Sequence, residues 1–276
     1  MAACGPGRRD GYAMPDPDRV RQAADLLWQT WQSGQRMPAL PPACRPATRA
    51  EGYAIQATLE RRGNKALFGW KIAATSSAGQ KHIQVDGPIA GRLLAERGHA
   101  DGAAISLAHN LMRMAECEFA FRMASDLAPR AAPYSRADVL AATQSLHPAI
   151  EVPDTRFSEF EKAGALQLIA DNACTGEYII GTAAGPQWRA LDLVRHTVTA
   201  RMGSGAVHSG SGANVLGDPL EALAWIANEL SAIGVTLKAG QTVITGTCMA
   251  PIPVVAGDTV EVDFGVIGRV GVRFAD

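Results

Sequence analysis

The sequence predicts an α+β fold in which helices come first and a strand-rich body follows. Between residues 16 and 66, Val20, Ala24, Leu27 and Trp31 recur at the spacing of one helix face. After residue 66, short apolar segments are separated by Gly and Asp turns, and the C-terminal part holds three such segments in succession. These patterns predict a helical segment over residues 16–66 and a second unit over residues 67–276.

Two helices are predicted in the N-terminal segment. Asp16 is a suitable N-cap for the first helix, and Pro17 fits the first turn of that helix. Thr48, followed three residues later by Glu51, forms a capping-box pattern at the start of a helix over residues 49–62. Gly63 is a suitable residue for ending this second helix.

Two further helices are expected to interrupt the strand-rich body. The first spans residues 136–146 with Ser135 as its cap, and the second begins at Asp218-Pro219 and ends near Gly234. Strands are predicted at 103–107 and 114–121, in "HPAIEVPD", after "ADNACTG", and in the C-terminal segments "QTVITGT", "DTVEVDFG" and "GRVGVRF".

Composition excludes several classes of protein. The chain has 276 residues, of which 47% are hydrophobic and 19% charged, as expected for a globular domain with a substantial core. A net charge of −1 gives no electrostatic basis for binding nucleic acid or anionic membranes. The five cysteines are scattered without metal-ligand spacing, which favours a reducing, cytoplasmic location. Residues 1–15 are predicted to be a flexible tail, in which Met14 is an alternative start.

The stretch "AECEFAF", residues 115–121, carries the first candidate site. In a strand, its alanine, cysteine and phenylalanines at odd positions point to one face, and Glu116 and Glu118 project together from the other. The glutamates therefore belong either to the solvated face of an edge strand or to a metal site.

A third carboxylate lies in the apolar stretch "PAIEVPD". Glu151 is either a surface residue at a strand end or a third ligand that joins Glu116 and Glu118. Three carboxylates without a histidine or cysteine pair suit a hard cation, Mg²⁺ or Mn²⁺. Such an ion keeps open positions that can hold the adjacent oxygens of a 2-oxo acid.

Lys71 and Asp86 are candidate acid–base residues. Lys71 stands among apolar neighbours in "GWKIAATS". Either the lysine is buried, which would lower its pKa, or its side chain extends to the protein surface. Asp86 precedes a Gly-Pro turn, in which an aspartate more often caps the chain than catalyses a reaction.

Several stretches together resemble the 2-keto-4-pentenoate hydratases of the fumarylacetoacetate hydrolase superfamily. The resemblance covers nearly the whole chain from about residue 20 and rests on motifs in the order seen in that family. They are "YAIQ", "GWKIAATS", "AECEFAF", "PAIEVPDTRF", "ADNA", "LGDPLEALAWIANEL", "AGQTVITGT" and "GDTVEVDFG".

The resemblance implies a mixed β-roll with packed helices, of the type found in the C-terminal domain of fumarylacetoacetate hydrolase, over residues 67–276. It also implies Mg²⁺ or Mn²⁺ on three acidic side chains, a proton-transfer pair and two substrate contacts. The matching residues are Glu116, Glu118 and Glu151 for the metal, Lys71 and Asp86 for proton transfer, and Asn172 and Thr247 for the substrate.

The implied reaction is the addition of water to a 2-hydroxy-2,4-dienoate in the breakdown of aromatic ring-cleavage products, by a homo-oligomer. Two other enzymes of the superfamily remain open, a 2-oxo-enedioate decarboxylase and a carbon–carbon hydrolase of acylpyruvates. The stretch "LIADNACTG" lacks the lysine that the hydrolases carry after the third acid, so the hydratase and decarboxylase forms are favoured. A non-catalytic binding protein on the same fold is the alternative from another class.

Overall fold

The computed structural model describes residues 16–63 and 65–276, and the predicted tail over residues 1–15 lies outside them. Six α-helices occur in the described part of the chain, numbered α1 to α6 in chain order. They are Pro17–Ser33, Arg49–Ala57, Ser77–His82, Arg136–Ala141, Ala165–Ala170 and Pro219–Ala232. Within these same residues, no helix combines the length and the apolar character that crossing a membrane requires.

Thirteen strands, β1 to β13 in chain order, complete the described part. They are Leu67–Ala73, Ile89–Leu94, Gly98–His99, Ala104–Ser106, Met114–Met123, Thr143–Val152, Glu177–Ile180, Thr197–Met202, Val207–Ser211, Thr242–Thr247, Ile252–Pro253, Thr259–Asp263 and Arg269–Ala275.

The strands form two mixed sheets that pack against each other. The larger sheet has the order β2-β1-β10-β5-β6-β7-β3, with β11 paired to β5, and the smaller has the order β4-β13-β12-β8-β9. Phe119 of β5 meets Phe264, the residue directly after β12 of the smaller sheet, edge-on with ring centroids 5.2 Å apart. This arrangement of mixed sheets with packed helices confirms the predicted α+β class.

The predicted Asp16 cap of the first helix and both predicted ends of the last helix are confirmed. Asp16 accepts a hydrogen bond from the Asp18 amide at 3.0 Å, and Gly34 ends α1 with a left-handed φ of 69°. Asp218 caps α6 in the same way, accepting from the Leu220 amide at 2.9 Å. Gly234 then takes a φ of 74° shortly after the helix ends.

The second predicted helix is shorter than expected. Thr48 caps α2 by accepting from the Glu51 amide at 3.1 Å, but α2 ends at Ala57 and continues as a 3₁₀ turn over Thr58–Arg61. The Glu51 carboxylate accepts from the Ala47 amide at 2.6 Å instead of from Thr48. The capping box is therefore only half present.

The predicted helix over residues 136–146 is wrong beyond its first turns. Ser135 caps the helix as expected and forms a capping box with Asp138, but α4 ends at Ala141 and β6 begins at Thr143. Residues 143–152 pair with β5 over almost their whole length, so long-range pairing overrides a local helical pattern. The short helices α3 and α5 add to the two interrupting helices that the sequence predicts.

The N-terminal helices share one hydrophobic core with the strand-rich body. Ala23 and Leu27 of α1 and Tyr53 of α2 are buried in the same cluster as the strands. The Trp31 ring of α1 also contacts two guanidinium groups of the body, those of Arg97 at 4.8 Å and Arg156 at 4.5 Å. The division at residue 66 stays a prediction.

Candidate metal centre and active site

The three candidate acids lie together on two adjacent strands. β5 and β6 are antiparallel, and their register places Glu116 directly opposite Glu151, so both side chains emerge on one face. Glu118 lies two residues further along β5 on that same face. One carboxylate oxygen from each residue lies within 4.8 Å of the others.

β5 lies inside the sheet and is covered on both faces. It pairs with β10 on one side and with β6 on the other, so the interpretation of "AECEFAF" as a solvated edge strand is wrong. Its odd-numbered apolar residues are buried in the main core, while Glu118 and Glu151 are fully buried on the opposite face. Glu116 is partly exposed and forms the solvent side of the cluster.

Several buried carboxylate oxygens of the three glutamates accept no hydrogen bond from the described residues, as expected for a cation-binding site. Among the described residues, no hydrogen bond reaches Glu118 Oε1 or either oxygen of Glu151, and of these three buried atoms only Glu151 Oε2 has an ion-pair partner, Lys71. Glu118 Oε2 accepts from the Gly246 amide at 2.5 Å. Buried polar atoms normally have partners, so unpartnered carboxylate oxygens need another source of compensation. Three converging oxygen donors match a hard divalent cation, and this acidic triad can hold one.

Lys71 lies in the same cluster and is only 2% exposed, so it does not extend to the surface. Its Nζ is 3.0 Å from Glu151 Oε2, an ion pair without a well-directed hydrogen bond, and it donates to the Ala173 carbonyl at 3.1 Å. Burial alone would lower the pKa of Lys71, as the sequence suggests. The surrounding carboxylates outweigh burial and raise the pKa of Lys71 above its usual value, so that expectation is wrong.

Burial also raises the pKa of each glutamate. For Glu118, the nearby charges of Glu151 and Glu116 raise the pKa further. For Glu116 and Glu151, the ammonium of Lys71 opposes the effect of burial without cancelling it. A cation on the triad would favour the ionised carboxylates, which burial in the protein alone disfavours.

Gly246 is a functional residue that the sequence reasoning missed. It interrupts the pairing of β10 with β5 between Ile244 and Thr247 and takes a φ of 100°, which turns its amide to Glu118. A Cβ at Gly246 would lie 2.2 Å from Thr75 Oγ1, so any other residue here would require the Thr75 side chain to move. A glycine inside the strand pattern "TVITGT" is the signal that indicates such a bulge.

The remaining predicted site residues lie around the cluster rather than in it. Asp86 is exposed in the turn before β2 and is not within salt-bridge distance of Lys71. Thr247 pairs with Glu118 across the strands, and its hydroxyl donates to the Met249 carbonyl at 2.8 Å. Asn172 is buried, and both polar atoms of its amide bind the backbone of Arg92.

An open cleft of about 310 Å³ includes Thr75, and its lining does not include the three carboxylates. Thr75, Ser76 and Gln80 line one side of it, and Asn214 and Leu216 line the other. Its link to the cluster is Thr75, whose side chain is against Gly246. The cleft offers neutral hydroxyl and amide groups, which can hydrogen-bond a small polar molecule.

The sequence of the strand-rich body identifies the protein family. The profile described as fumarylacetoacetate (FAA) hydrolase C-terminal matches residues 99–275, which is more than half of the chain. The chain belongs to the fumarylacetoacetate hydrolase family. This assignment confirms the family resemblance and the predicted fold type of the strand-rich body.

Curated members of the family are similar over nearly the full length. The 2-keto-4-pentenoate hydratase of Burkholderia vietnamiensis is 30% identical over 266 residues, covering 95% of this chain and 100% of that protein. The TodF product hydratase of Pseudomonas putida is 32% identical over 259 residues, covering 93% and 95%.

A solved structure of the family has the same overall arrangement. The 4-oxalocrotonate decarboxylase from Pseudomonas putida G7, complexed with magnesium and adipate, superposes with a TM-score of 0.82 at 29% identity. The match covers 92% of this chain and 97% of that one. A hydratase group and a decarboxylase thus share this fold.

Proposed function

We propose that this protein is a divalent-metal-dependent hydratase that adds water to a 2-hydroxy-2,4-dienoate. The product is a 4-hydroxy-2-oxo acid, as in the breakdown of aromatic ring-cleavage products. The observation that carries the proposal is the triad of Glu116, Glu118 and Glu151 with unpartnered buried oxygens beside the buried Lys71. The full-length similarity to named hydratases supports this reaction over others of the family.

The triad would hold Mg²⁺ or Mn²⁺. When bound, the ion supplies a Lewis acid and a template for the carboxylate and 2-oxygen of the substrate. Both ions prefer oxygen ligands and keep open coordination positions, which suits three carboxylates and a chelating substrate. The magnesium in the related decarboxylase structure is consistent with this choice.

Lys71 would transfer the proton that converts the dienol to the unsaturated ketone. The proton on the 2-hydroxyl is released and the distal carbon of the diene gains one, so the number of protons is unchanged. Lys71 is buried with its Nζ 3.0 Å from Glu151 Oε2, and an ammonium in this position could donate a proton in this step. Water then adds to the remaining double bond, with its hydroxyl on the carbon next to the one that gained the proton.

Asp86 and Thr247 complete the proposal. Asp86 is the second member of the proton relay, and this role requires its exposed turn to approach Lys71 when substrate is bound. Thr247, beside Glu118 at the end of β10, would contact the substrate carboxylate. We also propose that the protein works in the cytoplasm as a homo-oligomer, in line with its family.

The test is a spectrophotometric assay with 2-hydroxypenta-2,4-dienoate and Mg²⁺ or Mn²⁺. We expect metal-dependent loss of the dienoate absorbance in the parent protein and its absence in Glu116→Gln. Glu261→Gln is the matched control, because it makes the same chemical change at an exposed residue of the smaller sheet. Saturable substrate binding without turnover would instead indicate a binding protein.

Decarboxylation of a 2-oxo-enedioate is the second candidate, since the related solved structure is a decarboxylase. The same protein preparation is therefore given 2-oxohex-3-enedioate, and carbon dioxide release is measured. Release from this substrate, with no loss of the dienoate, would replace the hydratase proposal by the decarboxylase.

A further inference from the structure

The segment Asn172–Cys174 adopts an unusual backbone conformation next to Lys71. Asn172, Ala173 and Cys174 have φ values of 58°, 52° and 58°, so three successive residues with a Cβ are left-handed. Single residues visit this region at a cost, and a run of three requires support from its surroundings.

The amide of Asn172 fixes the near end of this turn to β2. Its Oδ1 accepts from the Arg92 amide at 2.6 Å, and its Nδ2 donates to the Arg92 carbonyl at 2.9 Å. Thr175 adds a hydroxyl that donates to the Asn172 carbonyl at 2.6 Å. The polar atoms of the Asn172 side chain thus bind the protein itself, which differs from the substrate contact that the family motif implies.

A buried ion pair holds both flanks of the turn. The Arg156 guanidinium contacts the carboxylate and the carbonyl of Asp171, and its Nη1 donates to the Thr175 carbonyl at 3.1 Å. Thr155 donates to Asp171 Oδ2 at 2.6 Å. The residues on either side of Asn172–Cys174 are therefore fixed by one buried side chain.

The turn directs one carbonyl at the acid–base candidate. Ala173 O accepts from Lys71 Nζ at 3.1 Å, and the other polar partner of this ammonium among the described residues is the Glu151 carboxylate. Packing is close here, since a Cβ at Gly91 would lie 2.5 Å from both Asn172 O and Thr175 Oγ1, and 3.1 Å from Lys71 Cγ. The strand, the turn and the lysine stem leave no free space.

We propose that the left-handed turn Asn172–Cys174 positions Lys71, and that Asn172 is a positioning residue acting through the Ala173 carbonyl. A lysine stem has several rotatable bonds, so an ammonium bound only to carboxylates would move with them. The carbonyl gives the ammonium a fixed direction that does not depend on the charge of the triad. The catalytic consequence of this inference rests on the proposed function, whereas the contact itself does not.

The first test measures the coupling between the turn and Lys71 by urea unfolding in saturating Mg²⁺. Asn172→Gly removes both bonds to Arg92 while tolerating the left-handed φ. In the double variant with Lys71→Met, we expect the change in the unfolding equilibrium constant to differ about fivefold or more from the product of the changes in the two single variants. Agreement with that product within about twofold would overturn the proposal.

Asn228→Ala is the matched control. Asn228 accepts from the Tyr134 amide at 2.6 Å and donates to its carbonyl at 2.9 Å, the same pair of bonds as in Asn172. None of the hydrogen bonds of Asn228 involves Lys71 or the carboxylates. The changes that Asn228→Ala and Lys71→Met each cause in the unfolding constant should simply multiply in the double variant. A departure as large as that for Asn172→Gly would overturn the specific role of the turn.

The second test separates positioning from general stability in turnover of 2-hydroxypenta-2,4-dienoate. We expect Asn172→Gly to lower kcat about tenfold or more while KM and the Kd for Mn²⁺ stay within about twofold, because only the proton-transfer geometry is disturbed. A parallel loss in Asn228→Ala, or a changed KM with the same kcat, contradicts positioning. If the parent protein lacks turnover, the proposed function fails, and the unfolding test still decides the inference.

Discussion

The charge of Lys71 is determined by its partners and not by its burial. The ammonium is almost completely buried, yet three carboxylates raise its pKa. The same carboxylates are costly to bury, and Lys71 offsets only part of that cost. Single substitutions in this cluster therefore change both the number of protons that the cluster binds and its affinity for a cation.

Replacing Lys71 by Met is expected to separate these two effects. Turnover should fall by about 10²–10⁴-fold, because a positioned proton donor is lost. The affinity for Mg²⁺ should stay the same or rise, because a positive charge 3.0 Å from Glu151 is removed. Steady-state kinetics and Mn²⁺ titration measure the two quantities. An unchanged rate would remove Lys71 from the mechanism.

Replacing Glu118 is expected to weaken metal binding, which the Lys71 substitution leaves intact. Glu118→Gln keeps the shape of the side chain but removes a charge from a fully buried candidate ligand, so metal affinity should fall by about tenfold or more. Turnover at low metal concentration should fall with it and recover in part at high concentration. Calorimetric titration with Mg²⁺ checks the affinity, and an unchanged Kd would exclude Glu118 as a ligand.

At the scale of elements, the bulge in β10 determines how Glu118 is held. Gly246 leaves the regular ladder so that its amide reaches the carboxylate, and Thr75 closes against its Cα. The bulge therefore joins the large sheet, one metal-ligand candidate and the cleft. A substitution here should disturb all three together.

Gly246→Ala should lower the free energy of unfolding by about 1–3 kcal/mol through its φ alone, and by more through the clash with Thr75. Gly240→Ala is the control, because Gly240 also has a positive φ, of 81°, but faces open space. Urea unfolding of both variants isolates the clash. Equal losses would show that Thr75 yields easily.

The sequence predicts the parts of the site that depend on short-range periodicity. The alternation in "AECEFAF" places Glu116 and Glu118 on one face, and the structure has both there. The register that sets Glu151 opposite Glu116 joins strands whose pairing no local pattern specifies. For the same reason, residues 143–146 are predicted as helix although they belong to β6.

Other features lie beyond sequence patterns because they depend on tertiary surroundings. The left-handed conformation extends beyond Asn172, a residue that tolerates it, to Ala173 and Cys174, which give no turn signal. The raised pKa of Lys71 depends on carboxylates brought in by two other strands, β5 and β6. The family resemblance supplies the identity of the site residues, but it does not supply these contacts.

For the whole molecule, the buried acids link stability to pH when no metal is bound. Each glutamate of the triad has its pKa raised above the ordinary value of 4.5, and that of Glu151 reaches about 7. A carboxyl whose pKa is higher in the folded state contributes stability below pH 4.5 that is lost as the pH rises through 7.

We therefore expect metal-free protein to lose stability between about pH 4.5 and pH 7–8, and Mg²⁺ to restore more of it at pH 8 than at pH 5.5. Thermal unfolding with and without a chelator at the two pH values measures both effects. Glu118→Gln should flatten the dependence of the metal-free protein. A chelator effect that is equal at both pH values would contradict the linkage.

The parallel pairing of β1 with β10 also bears on the order of folding. Lys71 lies beside Ile244, and Glu116 lies beside Glu151, so the site forms only after segments far apart in the chain have met. A cation that needs the completed triad has no binding site in the unfolded chain or in early intermediates. Magnesium should then slow the unfolding limb of a chevron plot and leave the refolding limb almost unchanged. The ion would slow unfolding of the completed sheet, and it would take no part in the folding nucleus.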